Sequence, residues 1–380
     1  MQPSITLYAD HAATAPLWPS VREAMAPYLA ERFGNASSSH AAGRLARTAV
    51  EESREVIAAA LGARAQEVIF TSGGTESDNL ALTGVFERAR ADRRDGIVLS
   101  AIEHHAVLEC AEWLAERRGA RLSIAPVSSD GVVEPSALAG LVDERTAIVS
   151  IMAANNEVGT IQPVAEVAEI ARAEGARVHT DAVQALPWID VRAEDADLIA
   201  ITAHKCGGPK GAGALVVRSG IRLEPMLHGG GQERGIRSGT YNVAGIVGFA
   251  AAVREVVAAR QRAATIETMR DRLQASITSR LVGVYATGAR AHRLPNSCHV
   301  CIEGVGSEPL LLLLDEAGVA ASSGSACQSG ATEPSHVLSA MGVPKELAEG
   351  ALRLTIGWTT TEDDVDRIAG AVVRAVETLR

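Results

Sequence analysis

The chain has 380 residues, 47% hydrophobic, 22% charged and only 3% aromatic, with a net charge of −10. That length exceeds what a single core usually fills, so two domains are expected, and so much apolar surface at modest charge excludes a disordered chain. No Lys/Arg block advertises direct nucleic-acid or anionic-membrane binding, and no apolar run approaches the roughly 18 residues of a membrane span.

Residues 1–6 lack a basic segment followed by an apolar one, so no secretory signal is read and a cytoplasmic protein is expected. The five cysteines (Cys110, Cys206, Cys298, Cys301, Cys327) are odd in number and scattered, which is not a disulfide framework and fits a reducing compartment.

In chain order, residues 8–16 read as a short extended piece ending at Pro16. Val21, Met25 and Leu29 predict a helix over about 20–28, limited by Pro27. The polar stretch from Phe33-Gly34-Asn35 to His40 has no packing face, and a helix over about 41–61, stopped by Gly62, follows it. From residue 68 strands and helices alternate as in a doubly wound α/β fold. Strands are expected at 68–71, 97–100, 122–125, 148–152, 177–180 and 198–201. Helices are expected from a start within 72–77 to about 90 and at 106–118, 135–142 and 163–174. The predicted product is a mainly parallel sheet covered by helices on both faces, with functional loops at the strand carboxyl ends. A long helical run over 241–280 leads to a second domain, with a strand near 297–302, a Leu-rich helix at 308–317, a strand at 352–356 and a final helix from 362.

Several strand-end segments carry chemistry. Thr202-Ala203-His204-Lys205-Cys206-Gly207-Gly208-Pro209 sets one lysine among a hydroxyl, an imidazole and glycines. A poorly solvated amine there can lose its proton and attack a carbonyl, as a lysine holding pyridoxal phosphate (PLP) does; a surface lysine in a Gly-Pro turn is the alternative. Gly73-Gly74-Thr75, between strand and helix, suits an anion, or is an ordinary glycine turn. Asp181, at the end of a strand, suits the partner of a protonated pyridine nitrogen, or caps a helix.

In Glu103-His104-His105, a histidine suits ring stacking and proton transfer, and the pair makes a poor metal site. No metal is expected. The amides of Asn155 and Asn156 suit a ring hydroxyl, or make a turn. Arg353, inside an apolar strand, needs an anion, which a substrate carboxylate or a structural salt bridge supplies. Cys327, in the small polar segment Ser322-Ser323-Gly324-Ser325-Ala326-Cys327-Gln328-Ser329-Gly330, suits a nucleophile. The remaining cysteines read as structural, because Cys298 and Cys301 lie three apart on a strand and face opposite sides.

Taken together, these segments resemble those of cysteine desulfurases, fold-type I PLP enzymes of the class V aminotransferase superfamily. The resemblance runs over nearly the whole chain, and Gly229-Gly230-Gly231-Gln232-Glu233-Arg234-Gly235-Ile236-Arg237-Ser238-Gly239-Thr240 belongs to it as well. It implies a large PLP-binding domain over 15–260, and a small α+β domain of 1–14 with 261–380 that carries the catalytic-cysteine loop. It implies PLP on Lys205, with Asp181 at the ring nitrogen, His104 on the ring, and Asn156 and Gln184 at the ring oxygen. Gly74, Thr75, Thr202 and His204 would hold the phosphate with Thr240 of the partner subunit in a homodimer, and Arg353 and Asn35 the substrate carboxylate.

Cys327 would take the sulfur of L-cysteine as a persulfide, release alanine and pass the sulfur to an acceptor protein. The Ser-Ser-Gly-Ser-Ala-Cys form resembles the branch with the longer catalytic loop. His11 stands where the family usually has asparagine. The resemblance implies delivery of sulfur to iron–sulfur cluster assembly or to DNA phosphorothioation: members serving the former often carry a longer tail, while the ending at Arg380 resembles the compact desulfurase of bacterial phosphorothioation systems. A selenocysteine lyase or other class V lyase, and a non-catalytic sulfur-relay scaffold, are the alternative readings.

Overall fold

A computed structural model describes residues 7–324 and 335–380. The chain enters through β1 (Leu7–Tyr8), then α1 (Pro19–Leu29), where a proline at the first position lacks only an N–H that the helix leaves unpaired anyway. Helix α2 (Ala41–Ala60) begins at His40, whose side chain accepts the Gly43 N–H. The alternating region runs β2 (Val68–Thr71), α3 (Gly74–Ala89), β3 (Gly96–Ser100), α4 (His105–Arg118), β4 (Arg121–Ala125), α5 (Pro135–Ala139), β5 (Thr146–Ser150), α6 (Val164–Ala173), β6 (Arg177–Asp181), β7 (Leu198–Thr202) and β8 (Gly213–Val217). The remainder is α7 (Val243–Ala259), α8 (Ala263–Thr278), β9 (Val284–Ala286), β10 (Ser297–Ile302), α9 (Ser307–Glu316), β11 (Val319–Ala320), α10 (His336–Ala340), α11 (Lys345–Ala348), β12 (Ala351–Thr355) and α12 (Glu362–Leu379).

The large sheet has seven strands in the order β2-β8-β7-β6-β5-β3-β4. All but β8 point the same way, and β8 runs antiparallel to both its neighbours. The short connection 203–212 explains the reversal, because a parallel return needs a crossover of a dozen or more residues. Successive strand residues feed opposite faces. Val68, Phe70, Ile199 and Ile201 join an apolar cluster with α2, α6 and α7. Ile69, Leu198, Ala200 and Leu215 join another with α3 and α4. Both faces are therefore covered, as the alternation of strands and helices predicted. Edge strand β4 leaves Arg121 and Ile124 exposed.

A second, antiparallel sheet has the order β12-β10-β9, and β1 pairs in parallel with β11. Val300, Leu354 and Val372 of this region share the apolar cluster of α2 and α7. The predicted helix over 241–280 is two helices, divided at residues 260–262, where Arg260 and Arg262 donate to the carbonyls of Leu186 and Trp358. Strand β5 ends two residues earlier than predicted, because the Met152 N–H leaves the ladder for the Glu103 carboxyl. Strands β1, β9 and β11 and helices α10 and α11 are too short to leave a periodic signal.

Candidate active site

The carboxyl ends of β6 and β7 and the amino ends of α3 and α4 open on a cavity of about 270 Å³. Asp181 is the last residue of β6, and Lys205 lies in the single turn that follows β7. Gly74, Thr75, His104, Asn156 and Gln184 line the cavity with them, as do Thr202, His204 and Arg353. Ten of the residues singled out in the sequence thus meet in one place. Asn35 does not join them in this chain: it is exposed, and its Oδ1 accepts the Ser37 N–H in a local turn, which short polar side chains favour. Thr240 is exposed and outside the lining, and Cys327 lies outside the described residues. A larger groove of about 1070 Å³ shares Thr75 and His104 but neither Lys205 nor Asp181, so the chemistry belongs to the smaller cavity.

Each polar side chain has an identifiable setting. Lys205 Nζ donates to the carbonyls of Ala12 and Ala13, and the Ala12 carbonyl also takes Gln184 Nε2–H at 2.8 Å. Asp181 Oδ1 accepts the Val183 N–H at 2.8 Å. Burial pushes the Asp181 carboxyl up, while His104, the Val183 N–H and Lys205 pull it back down. His104 caps α4, its Nδ1 accepting the Ala106 N–H at 3.1 Å, so the neutral ring carries its proton on Nε2. Burial lowers its pKa. His204 is held down to about 4, first by burial and then by the charges of Lys205 and Lys210.

Arg353 Nη2 pairs with Asp10 Oδ1 at 2.8 Å and Nη1 donates to the Asn156 carbonyl at 2.9 Å, while Nε has no partner among the described residues. The structural salt bridge read as an alternative from the sequence is therefore present, and a donor is left over beside the cavity.

The lining fits PLP. A Cβ on Gly74 would stand 2.8 Å from Val183 Cγ2, and one on Gly213 2.6 Å from Gly73 Cα, so only glycine allows the turn before α3 to pack this closely. The free N–H groups of that helix start, with Thr75, Thr202, His204 and Lys210, border an adjoining opening of about 440 Å³. Such an opening has the donors that a phosphate requires. A carboxylate that ends β6 and an amine in the turn after the adjacent β7 complete the set that this cofactor requires.

Sequence reasoning missed Asp78 and His179, and passed over Glu103 and Glu157 as site residues. Asp78 sits in α3 among buried Ser77, Leu80, Ala81 and Leu82, and an acid on so apolar a helix face was the available signal. Glu103 Oε1 accepts from the Ser100 hydroxyl at 2.5 Å and the Met152 N–H at 2.9 Å, and burial pushes its carboxyl up to about 8. Ser335 donates to Glu157 Oε2 at 2.5 Å. The structural cysteines are as expected: Cys298 and Cys301 enter different apolar clusters, and burial raises Cys206 and Cys301 to about 12, far from a reactive thiolate.

Residues 7–368 match the family model described as Aminotransferase class-V. The chain belongs to that family. Class V aminotransferase enzymes depend on PLP, in agreement with the lining. The chain is 45% identical over 377 residues to a protein named cysteine desulfurase IscS from Dictyoglomus turgidum, covering 98% of this chain and 95% of the relative. Among solved structures it resembles a NifS-like protein with a TM-score of 0.91 and 38% identity, covering 98% of this chain and 99% of the other. DndA from Streptomyces lividans aligns with a TM-score of 0.78 and 36% identity, over 90% of this chain and 97% of that one. These class V relatives bear out the α/β fold, with its mostly parallel central sheet, that the sequence predicted.

Proposed function

We propose that the protein is a PLP-dependent L-cysteine desulfurase that moves sulfur from L-cysteine to Cys327 and on to an acceptor protein, releasing L-alanine. The observation that carries this reading is that Asp181, at the end of β6, and Lys205, in the turn after the adjacent β7, line one cavity with Gly74 and Thr75 of a helix start. The names of the relatives at 39–45% identity over nearly the whole chain support it.

PLP, when bound, supplies an electron sink that weakens bonds at the substrate α-carbon and, beyond it, the carbon–sulfur bond. The chain's own residues do the rest. Lys205 Nζ holds the cofactor and moves the proton at the α-carbon. Asp181 holds the proton on the ring nitrogen. His104 would lie against the ring and, with its proton on Nε2, would serve proton transfer there. Asn156 and Gln184 orient the ring oxygen. Thr75, Thr202, His204 and the N–H groups around Gly74 hold the phosphate, with Thr240 of the partner subunit in a homodimer. Arg353, with its unused donor, orients the substrate carboxylate. The Cys327 thiolate takes the sulfur atom, so that L-cysteine and one thiol become L-alanine and one persulfide.

The division into a domain of 15–260 and one of 1–14 with 261–380 belongs to this reading, as do cytoplasmic residence and the absence of direct nucleic-acid or membrane binding. Higher identity to relatives named IscS than to DndA supports delivery to iron–sulfur cluster assembly over DNA phosphorothioation.

The test is borohydride reduction of the yellow protein, peptide mapping and an assay for alanine. A tagged peptide containing Lys205, with alanine formed from L-cysteine, is expected. An untagged Lys205, or cysteine left intact by the loaded enzyme, would refute the proposal.

A further inference from the structure

The wall behind Asp181 holds more acid than its cations balance. Asp78, Glu103 and Asp181 are all buried, and Asp78 and Asp181 line the same cavity. The basic groups facing them are Lys205, His104 and His179, and burial holds both imidazoles toward the neutral form. Three carboxylates gathered in so dry a site do not all ionise. Local partners decide which of them give way.

Asp181 has the Val183 N–H together with Lys205 and His104. Glu103 has the Ser100 hydroxyl and the Met152 N–H, both on Oε1. For Asp78 no N–H donor is found among the described residues. Its Oδ1 lies 3.4 Å from Nε2 of His179, which is 0% exposed, and neither atom has a hydrogen-bond partner among the described residues. On the other side of that ring, Nδ1 is 2.7 Å from Ser150 Oγ. Two facing orphan atoms, an oxygen and a nitrogen, lack only a proton between them.

We propose that Asp78 is a neutral carboxylic acid whose Oδ1–H donates to His179 Nε2, while His179 Nδ1–H donates to Ser150 Oγ, so that Asp181 alone faces the cofactor ring as an ionised carboxylate. The arrangement satisfies both orphan atoms with one hydrogen bond. The opposite tautomer, with its proton on Nε2, would leave an anionic Asp78 beside an anionic Asp181, and each charge would disfavour the other. Asp78 and His179 are thereby positioning residues for the ring nitrogen, acting through Asp181. This inference rests on the PLP reading above for its purpose, but the proton on Asp78 is a property of the apoprotein.

The experiment compares wild type with Asp78→Asn, as apoprotein and loaded with PLP. The infrared carbonyl stretch of a protonated carboxyl group is expected in wild-type apoprotein at neutral pH, with one component lost in D78N. Because asparagine keeps the site neutral, the midpoint of the PLP absorption change with pH is expected to stay within about threefold in proton affinity. An infrared band that is absent or unaltered by D78N, or a larger shift in midpoint, overturns the proposal. Should D78N fail to fold, ¹⁵N-histidine spectra of the wild-type enzyme decide: an unprotonated Nε2 on His179 supports the proposal and a protonated one overturns it. The infrared and ¹⁵N measurements need no cofactor, so a failure of the PLP reading would be seen separately, as an unlabelled Lys205.

Discussion

Arg353 and Asp10, 343 residues apart, meet with Nη2 and Oδ1 at 2.8 Å beside the cavity. The arginine lies in the fully buried strand β12 and also donates to the Asn156 carbonyl, so its fork is aimed before any substrate arrives. Replacing it with alanine is expected to lower kcat/KM for L-cysteine by about a hundredfold, mostly through KM, because a charge-assisted contact to the substrate carboxylate is lost. PLP absorption should persist. Steady-state kinetics with a parallel spectrum of the variant are the check, and an unchanged KM would remove Arg353 from the substrate site.

Cys327→Ser is expected to keep the yellow colour and the tag on Lys205 while losing sulfur transfer by orders of magnitude, since a hydroxyl does not take up sulfur as a thiolate does. Alanine formation and mass analysis for the added sulfur atom measure it. A serine variant that desulfurates cysteine at the wild-type rate would eliminate the persulfide role.

Ser335 immediately follows residues 325–334. Its hydroxyl donates to Glu157 Oε2 at 2.5 Å, and its Oγ accepts the Val337 and Leu338 N–H groups at 3.1 and 3.3 Å. Ser335→Ala uncaps α10 and strips a buried carboxyl of its donor, at a cost of about 1–3 kcal/mol. Denaturant unfolding reads that loss. The same variant should slow sulfur transfer more than it weakens PLP uptake.

Glu233 receives a two-pronged contact from Arg54 at 2.7 and 2.8 Å, with both side chains nearly inaccessible, and also accepts the Phe70 N–H at 2.8 Å. Glu233→Ala leaves the buried guanidinium with only the exposed Glu51 carboxylate and the Val68 carbonyl, and a loss of about 3 kcal/mol is expected in the free energy of unfolding. Double replacement of Arg54 and Glu233 by apolar residues should recover part of it.

Glu103 ties stability to pH. Its carboxyl is raised from 4.5 to about 8 in the folded chain, chiefly by burial. Above 4.5 the unfolded chain gives up this proton while the folded chain keeps it, so rising pH favours unfolding up to about 8. The slope from this group is about 1.4 kcal/mol per pH unit. Glu103→Gln removes that contribution, so the urea midpoint of the variant should fall less steeply than wild type between about pH 5 and 8.

Where chemistry is written in local runs, the sequence was readable. Gly73-Gly74-Thr75 precedes a helix, while Asp181 ends a strand and Lys205 follows one. Neighbours in the chain fix all three, and Gly74, Thr75, Asp181 and Lys205 line the cavity. Asp78 and His179 escaped notice because each looks ordinary in its own element, and only the packing of α3 on β6 brings them to 3.4 Å. Arg353 was visible as a charge in an apolar strand, but its partner Asp10 was not, since no local pattern reaches across the chain. The reversal of β8 was implicit in the short connection 203–212, which a count of residues would have exposed.

The reversal of β8 has a consequence for the order of assembly. Thr202 and Gly213 stand opposite each other in the sheet, so the hairpin that carries Lys205 is closed by a contact of low sequence separation. The reach from Asp10 to Arg353 is one of the longest the chain makes. Short closures form readily and long ones late, so the turn that bears Lys205 is closed before Arg353 meets Asp10. A chain emerging during synthesis would thus hold the Lys205 turn in shape long before its last strand is made.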